Sequence, residues 1–384
     1  MSSDFASERN ERWAGTMEGY NANGEELTVA HQDSTAHIGR LLTSDTVRPI
    51  TRASREEVED ASLAPGATRS RGAGKREREE EPDEFRTCFE RDRDRILHSS
   101  AFRRLAGKTQ VFIFPEDHQR TRLTHALEVA QVATGVARAT GLNVALTEAI
   151  AIGHDCGHGP GGHASEDALH PFVEGGFDHA VWGADVSLSN LNLCVETLDG
   201  IRNHSWSRPA PMTPEGEIVS WADRIAYVCH DFEDAVSAGI VDTDDLPAIV
   251  RERCGVRRGQ QLGSFINAMI KTIQDTGIIG MYDWHAQALA AFRSFNYETI
   301  YLREASERNG KAVVGVLRGL VEYFAERPEE IPGGLERGRD LLGQPAALHE
   351  AVAYVAGMTD RFACRSAVTL LNWPMDQLPS GIDR

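Results

Sequence analysis

Residues that could bind a metal ion are concentrated in one glycine-rich stretch, residues 154–166, which reads HDCGHGPGGHASE. Imidazole nitrogens and carboxylate oxygens are common ligands of divalent cations in proteins. His154 and Asp155 are adjacent, and at the end of a helix two adjacent side chains can converge on one ion. Because two ligands cannot complete a coordination shell, the rest of the chain must supply further ligands.

The same stretch contains a second pair of residues that could transfer protons. Its four glycines predict a loop whose backbone can approach a ligand closely, since glycine has no Cβ. If a helix begins after Gly162, His163 and Glu166 lie three residues apart and can form a hydrogen-bonded dyad, which is typical of general acid-base catalysis. The alternative is a capping glutamate beside a surface histidine. His158 is not assigned as a ligand.

Two helices are expected to hold the metal-binding residues in place. Residues 121–142 have apolar side chains at spacings of three and four, which predicts an amphipathic helix with His125 near its N-terminus. A lone histidine on such a helix is more often a core residue than a ligand. Residues 143–153 are apolar nearly all round, so this helix is expected to be buried and to bring the His-Asp pair into the interior. A buried charge needs a partner, and a metal ion would provide one.

A third helix is expected after Thr213, which is a suitable N-cap, with Pro214 at the first helical position. Asp223, Tyr227 and Asp231 follow at intervals of four residues and therefore lie on one face. Two carboxylates and a phenol on the same face indicate that this face lines a binding site, because a solvent-facing surface usually carries lysine and glutamate. Asp223 is therefore predicted to be a fourth metal ligand.

The overall charge limits the classes of partner. The chain has 384 residues, of which 41% are hydrophobic and 26% charged, and its formal net charge is −18. Such a surface would repel a phosphate backbone, so nucleic-acid binding is not expected. Between residues 91 and 122, however, eight basic residues outnumber four acidic ones, a local balance of 8 − 4 = +4. Recognition of a small polyanion is therefore most plausible just before the His-Asp pair.

Composition also suggests the location and the organisation of the chain. We expect a cytoplasmic protein without membrane contact, since no apolar run suits a signal peptide or a membrane span. The six cysteines lack paired spacing and are expected to be reduced. Polar and small residues predominate in residues 1–82, which predicts a flexible tail. Residues 83–240 are predicted to form the catalytic core, and residues 241–384 a helical region packed on it.

Seven blocks of the sequence resemble, in order, the deoxyguanosinetriphosphate triphosphohydrolase-like family of HD-domain phosphohydrolases. They lie between about residues 86 and 362 and read HSSAFRRLAGKTQVF, TRLTHALEVAQVA, HDCGHGPGGHASEDAL, NLCVETLDGI, ADRIAYVCHD, FRSFNYETIY and GMTDRFA. The resemblance implies an all-α fold, with an HD-domain helical core and additional C-terminal helices. It also implies one divalent metal ion, Mg²⁺ or Mn²⁺, and hydrolysis of dGTP or several dNTPs to deoxynucleoside and tripolyphosphate. A homo-oligomer, either hexamer or tetramer, and a nucleotide effector are further implications.

The resemblance assigns roles to individual residues. Those that would hold the metal are His125, His154, Asp155 and Asp223. Those that would form the catalytic dyad are His163 and Glu166. Those that would line the nucleotide pocket are Gln110, Arg122, His179, Tyr227, Asp231 and Arg293. The chain departs from the family at Gly161 and Gly162, where apolar or aromatic residues are common, and at Ala180, where asparagine is usual.

Two other functions are consistent with the sequence. One is an HD-type phosphohydrolase acting on a nucleoside monophosphate or a cyclic nucleotide. Such enzymes tend to add ligands for a second metal, and the sequence contains no clear extra His-Asp pair of this kind. The other is a nucleotide-binding regulatory protein with an inactive metal site, which the presence of both His163 and Glu166 disfavours.

Overall fold

The computed structural model describes residues 2–15, 19–21, 26–33, 49–114, 118–332 and 344–380. The chain divides into a small unit, residues 1–50, and a large unit, residues 51–384. The described part of the small unit contains helix α1 (Ser2–Ala14) and strands β1 (Tyr20–Asn21) and β2 (Thr28–Val29). The two strands pair antiparallel, with Tyr20 opposite Val29.

The large unit is helical in its described residues, which confirms the all-α prediction. Its α-helices are α2 (Arg52–Ser62), α3 (Cys88–His98), α4 (Ser100–Arg104), α5 (Arg122–Thr140), α6 (Val144–Gly153), α7 (Ala164–Leu169), α8 (His179–Trp182), α9 (Val195–Arg202), α10 (Pro214–Ser237), α11 (Ala248–Cys254), α12 (Arg258–Thr276), α13 (Asp283–Asn296), α14 (Glu304–Glu326), α15 (Pro345–Ala356) and α16 (Asp360–Leu371). Short 3₁₀ turns span Leu105–Gly107, His170–Phe172, Ser189–Leu191, Thr243–Asp245, Pro328–Glu330 and Met375–Gln377, and π turns span Gly183–Ser187 and Tyr297–Tyr301. None of the described helices is long and apolar enough to cross a membrane.

The three helices predicted to position the site begin and end close to the expected residues, because their end signals are local. Helix α5 ends at Gly141, whose φ of 71° is left-handed and favours glycine. The Asn143 side chain caps α6 by accepting a hydrogen bond from the backbone of its first turn. Thr213 caps α10 in the same way, with Pro214 at the first helical position, as predicted.

These helices lie in the larger of two apolar clusters. Helices α5, α6 and α10 pack against one another and against α3, α12 and α13, and their buried side chains include Val129, Ile150, Ile225 and Phe265. A second cluster joins α14, α15 and α16 to α7, with Leu169, Leu317 and Val352 buried between them. Because α7 directly follows the glycine-rich loop, the C-terminal helices are packed close to that loop.

Residues 51–82 differ from the predicted flexible tail, because they belong to the large unit. The Arg76 guanidinium contacts the fully buried Asp92 carboxylate at 2.6 Å. The Thr68 hydroxyl donates to Glu215, which is also buried, at 2.7 Å. These bonds join residues far apart in sequence, so local composition could not reveal them. The boundaries predicted at residues 82 and 240 both lie inside the large unit, and part of the predicted tail lies outside the described residues.

Candidate metal centre and surrounding site

The four predicted metal ligands lie together where α5, α10 and the end of α6 meet. Asp223 Oδ1 is 3.0 Å from His125 Nε2 and 3.7 Å from His154 Nε2. Oxygens of Asp155 lie 3.4 Å from His154 Nε2 and 4.0 Å from His125 Nε2. Two ligands each ~2.1 Å from a cation can be at most ~4.2 Å apart, and each of these four separations meets that limit. His125, His154 and Asp155 form one group with ligand atoms within 4.8 Å of one another, and Asp223 belongs to a second group with His154 and His204.

The orientation of His154 supports this arrangement. Its Nδ1 lies 2.6 Å from the Ala151 carbonyl oxygen, and such a bond keeps the proton on Nδ1. Its Nε2 therefore presents a lone pair towards the carboxylates. This nitrogen is buried and lacks a hydrogen-bond partner among the described residues, which is costly in a folded protein unless an ion occupies the position. The residues present thus fit a divalent cation.

Asp155 also contacts a buried cationic side chain. Arg122 Nη1 donates to Asp155 Oδ2 at 2.7 Å, and His158 Nε2 lies 3.2 Å from the other oxygen. Burial favours a raised pKa for Asp155, but Arg122 and the two neighbouring histidines, His154 and His158, outweigh burial and hold that pKa well below its ordinary value. The Asp155 carboxylate is therefore ionised at neutral pH.

The structure places Glu166 against His179, which differs from the predicted dyad of Glu166 with His163. Glu166 Oε1 hydrogen-bonds His179 Nδ1. Burial acts to lower the pKa of His179, but the bond and the charge of Glu166 outweigh burial and raise it. The His163 side chain is exposed although protein surrounds it closely. This environment and the Arg122 charge lower the pKa of His163 to about 4, so in this structure His163 is neutral at neutral pH.

His204 joins the site although the sequence assigned it no role. Its Nδ1 lies 2.8 Å from the Ile201 carbonyl oxygen, and its Nε2 lies 3.3 Å from His179 Nε2. One of its ring nitrogens also lies within 4.8 Å of a potential ligand nitrogen of His154 and a carboxylate oxygen of Asp223. His204 is the second residue after α9, near the start of the loop that leads to α10, and no helical spacing marks it in the sequence.

The glycine-rich loop leaves space for the buried Arg122 guanidinium. Arg122 is 2% exposed, and its Nε and Nη2 have no hydrogen-bond partner among the described residues. A Cβ at Gly162, where φ is 64°, would lie 3.1 Å from Arg122 Nη2. A Cβ at Gly157 would lie 1.9 Å from the His179 carbonyl oxygen. Two buried guanidinium nitrogens thus lack an acceptor among the described residues, and an anion that reached them could supply one.

Other basic residues of the predicted positive stretch are engaged by carboxylates. Arg91 and Arg95 contact Glu80, and Arg93 contacts Asp94. Their charges are therefore largely compensated at the surface. Among the described residues of 91–122, Arg122 is the cation whose side chain contacts a candidate metal ligand, Asp155.

Three of the residues predicted to line the nucleotide pocket lie on α10 and α13, namely Tyr227, Asp231 and Arg293. Arg293 Nε donates to the Tyr227 hydroxyl at 2.9 Å, and the Tyr301 hydroxyl donates to Asp231 Oδ2. Burial raises the pKa of Asp231 to about 7, although the Tyr301 bond opposes this. Tyr301 lies in a π turn, an irregularity that is frequent at functional sites.

Arg224 is a second residue that the sequence did not assign. Its guanidinium carbon lies 3.4 Å from the centre of the Trp206 ring. Burial raises the pKa of Tyr227, Asp223 adds to this rise, and the charges of Arg224 and Arg293 oppose it. Gln110, also predicted for the pocket, is half-buried, and its Oε1 lacks a partner among the described residues. Arg224 and Arg293 thus lie close to Tyr227, which is one helical turn after the candidate ligand Asp223.

Lys108 is a buried cation beside the glycine-rich loop. It is 3% exposed, and its Nζ donates to the His158 carbonyl and, at 3.0 Å, to the Ala356 carbonyl. Burial lowers the pKa of Lys108 to about 8. The ammonium therefore satisfies two backbone oxygens at the cost of its own desolvation.

We expect Lys108→Met to destabilise the protein, and the loss to grow with pH. The ordinary lysine pKa is 10.5, so between pH 8 and 10.5 the unfolded chain binds more protons, and the Lys108 contribution to stability rises. From pH 7 to pH 9 the gap in unfolding free energy between wild type and variant should widen by about 1 kcal/mol. Denaturant titrations at both pH values measure it. The exposed Lys271→Met is the control, and a gap that stays constant for Lys108→Met would contradict the lowered pKa.

Comparison with known proteins agrees with this geometry. The HD domain family model matches residues 122–228, and the phosphohydrolase-associated domain matches residues 279–368. A deoxyguanosinetriphosphate triphosphohydrolase-like protein of Caldanaerobacter subterraneus subsp. tengcongensis is 41% identical over 324 residues, which cover 83% of this chain and 93% of that protein. A protein with the same description from Clostridium perfringens strain 13 is 43% identical over 303 residues, covering 75% and 87%. The chain therefore belongs to the deoxyguanosinetriphosphate triphosphohydrolase-like family of HD-domain phosphohydrolases.

Proposed function

We propose that the protein is a metal-dependent dNTP triphosphohydrolase that releases deoxynucleoside and tripolyphosphate. The main observation in support is that two complementary features lie side by side. Four candidate ligands for a divalent cation lie beside a buried guanidinium with two free nitrogens. A cation and a guanidinium side by side are suited to phosphate oxygens. The relatives are named deoxyguanosinetriphosphate triphosphohydrolase-like proteins, so dGTP is the first substrate to test.

The proposed roles follow from position. His125, His154, Asp155 and Asp223 would hold one Mg²⁺ or Mn²⁺, which would supply Lewis-acid activation of a phosphate and of the attacking water. Arg122 would bind an oxygen of the α-phosphate. His163 would donate a proton to the departing sugar oxygen.

A bound triphosphate would change the protonation of His163. The Arg122 guanidinium is one cause of the low His163 pKa, so a phosphate that neutralises it would raise that pKa. Burial is the larger cause and would still act, so substrate binding would favour protonated His163 only through the Arg122 contribution. Glu166 would act through His179, whose pKa it raises and whose protonated form it therefore favours beside the anionic substrate.

The other predicted pocket residues would contact the nucleotide. Gln110 is proposed beside the sugar and phosphate, with His179 near the phosphates. Tyr227 and Asp231 are proposed towards the sugar, where the unpartnered Oδ1 of Asp231 could accept a hydroxyl bond. Arg293 is proposed for the triphosphate, and Arg224 joins it as an addition from the structure. A cytoplasmic location, a homo-oligomer and a nucleotide effector remain predictions.

A second candidate is a phosphohydrolase that uses two cations. Asp155, His158 and His179 form a second group with ligand atoms within 4.8 Å of one another. Arg122 contacts the same Asp155 carboxylate at 2.7 Å, however. Its positive charge disfavours a second cation there, so the triphosphohydrolase is the better-supported proposal.

The test is incubation with each dNTP and NTP in Mg²⁺ or Mn²⁺, with products separated by ion-exchange chromatography. Deoxynucleoside together with tripolyphosphate supports the proposal. Release of only pyrophosphate or orthophosphate contradicts it. A reaction without added metal, in the presence of a chelator, is the control for metal dependence.

A further inference from the structure

The C-terminal helices reach the glycine-rich loop through one buried carboxylate. Asp360, the first residue of α16, is 5% exposed. Its Oδ1 accepts a 2.8 Å hydrogen bond from the Gly161 backbone N–H. Its Oδ2 accepts from the Thr109 backbone N–H at 2.9 Å and from the Thr109 hydroxyl. One side chain therefore joins the C-terminal region to the loop and to the segment before α5.

A second buried charge, the Lys108 ammonium, also connects the C-terminal region to the glycine-rich loop. Lys108 precedes Thr109, and its ammonium bridges the His158 carbonyl in the loop and the Ala356 carbonyl at the end of α15. Residues 356–360 are thus held to the loop at both ends. We call the Asp360 and Lys108 contacts together the loop clamp.

The loop needs external contacts of this kind. Gly161 and Gly162 have φ of 74° and 64°, and glycine adopts other backbone conformations at little cost. His163 follows directly, so rotation at either glycine would redirect its ring. A Cβ at Gly161 would lie 2.6 Å from Val313 Cγ1, which shows how closely α14 covers this part of the loop.

We propose that Asp360 is a positioning residue. It fixes the backbone conformation of Gly161 and Gly162 and thereby the orientation of the His163 ring relative to the candidate metal centre. Lys108 supports the same loop. Asp360 lies outside the candidate metal centre and has no proposed contact with substrate. Its loss should therefore impair the chemical step more than metal binding. Only the kinetic part of this inference depends on the proposed function.

Asp360→Asn is the first test, because the amide has the same shape but replaces one acceptor by a donor. At least one of the two backbone N–H groups then loses its partner. Asp360→Ala, which removes all the bonds, is the second variant. Asp92→Asn is the matched control, since Asp92 is also buried and accepts from Arg76, the Cys194 N–H and the Thr197 hydroxyl, away from the loop.

Two measurements on the full-length protein decide the matter. Hydrogen–deuterium exchange of peptides covering residues 157–163 should be faster in the Asp360 variants than in wild type and Asp92→Asn. Turnover per folded molecule, well below the unfolding temperature, should show kcat lowered ~10- to 100-fold, the scale of a catalytic group misplaced by about 1 Å. KM and Mn²⁺ affinity should change less than kcat.

The outcomes separate the two proposals. Unchanged exchange at residues 157–163 in both folded Asp360 variants overturns the clamp, whatever the activity. Faster exchange with wild-type kcat overturns the positioning role, as does an equal loss of kcat in Asp92→Asn. If the wild-type protein does not release tripolyphosphate, the proposed function fails, and the exchange measurement still tests the clamp by itself.

Discussion

Asp155→Ala is expected to abolish turnover and to weaken divalent-metal binding by more than the ~10- to 100-fold that loss of an outer-shell partner costs. The side chain is the anionic member of the adjacent pair at the end of α6, and its oxygens face both His154 and His125. Its removal leaves the remaining ligands with less negative charge for the cation.

The same substitution has a second electrostatic consequence. Arg122 is buried and contacts Asp155 at 2.7 Å, so the variant contains an uncompensated guanidinium beside the cation position. An unpaired buried charge is strongly unfavourable, and it would repel Mg²⁺ or Mn²⁺ from the remaining ligands. Both effects act in the same direction, which is why we expect this variant to show the largest loss.

Metal content after dialysis and isothermal titration with Mn²⁺ measure the binding, and tripolyphosphate release measures turnover. Asp92→Asn is again the control, because Asp92 is buried and paired with Arg76 at 2.6 Å but contacts no candidate ligand. It should bind metal like wild type. Full Mn²⁺ occupancy in Asp155→Ala would remove Asp155 from the ligand set.

The helices of the site could be predicted because their signals are local. A cap such as Asn143, a left-handed Gly141 and apolar spacing in α5 all act within a few residues. The spacing of Asp223, Tyr227 and Asp231 on α10 likewise follows from helical geometry alone. Knowledge of the family then supplied the partners that local signals could not connect.

Contacts between distant segments could not be predicted in the same way. Glu166 lies three residues from His163 but bonds His179, because a turn and α8 bring His179 back over the loop. Asp360 meets Gly161 across 199 residues. No periodicity or capping pattern encodes such pairs, and they depend on how the second apolar cluster packs.

His163→Ala is expected to retain metal and to lower turnover by ~10²-fold or more, the usual scale for loss of a general acid or base. The centre of the His163 ring lies 5.4 Å from that of His158, but His163 belongs to none of the candidate ligand groups. The exposed His170→Ala, seven residues later in the chain, is the control and should be fully active. Wild-type turnover in His163→Ala would leave His163 as a surface histidine.

The Glu166→Gln variant distinguishes the role of the neighbouring pair. Burial alone would lower the pKa of His179, and Glu166 is the main group that raises it, so the amide should lower that pKa. If protonated His179 assists the reaction, activity is lost as pH rises through this pKa, and the alkaline limb of the kcat profile should move to lower pH in Glu166→Gln. His163→Ala should lower kcat without this displacement. An alkaline limb that stays in place in Glu166→Gln would show that Glu166 does not act on the reaction through the pKa of His179.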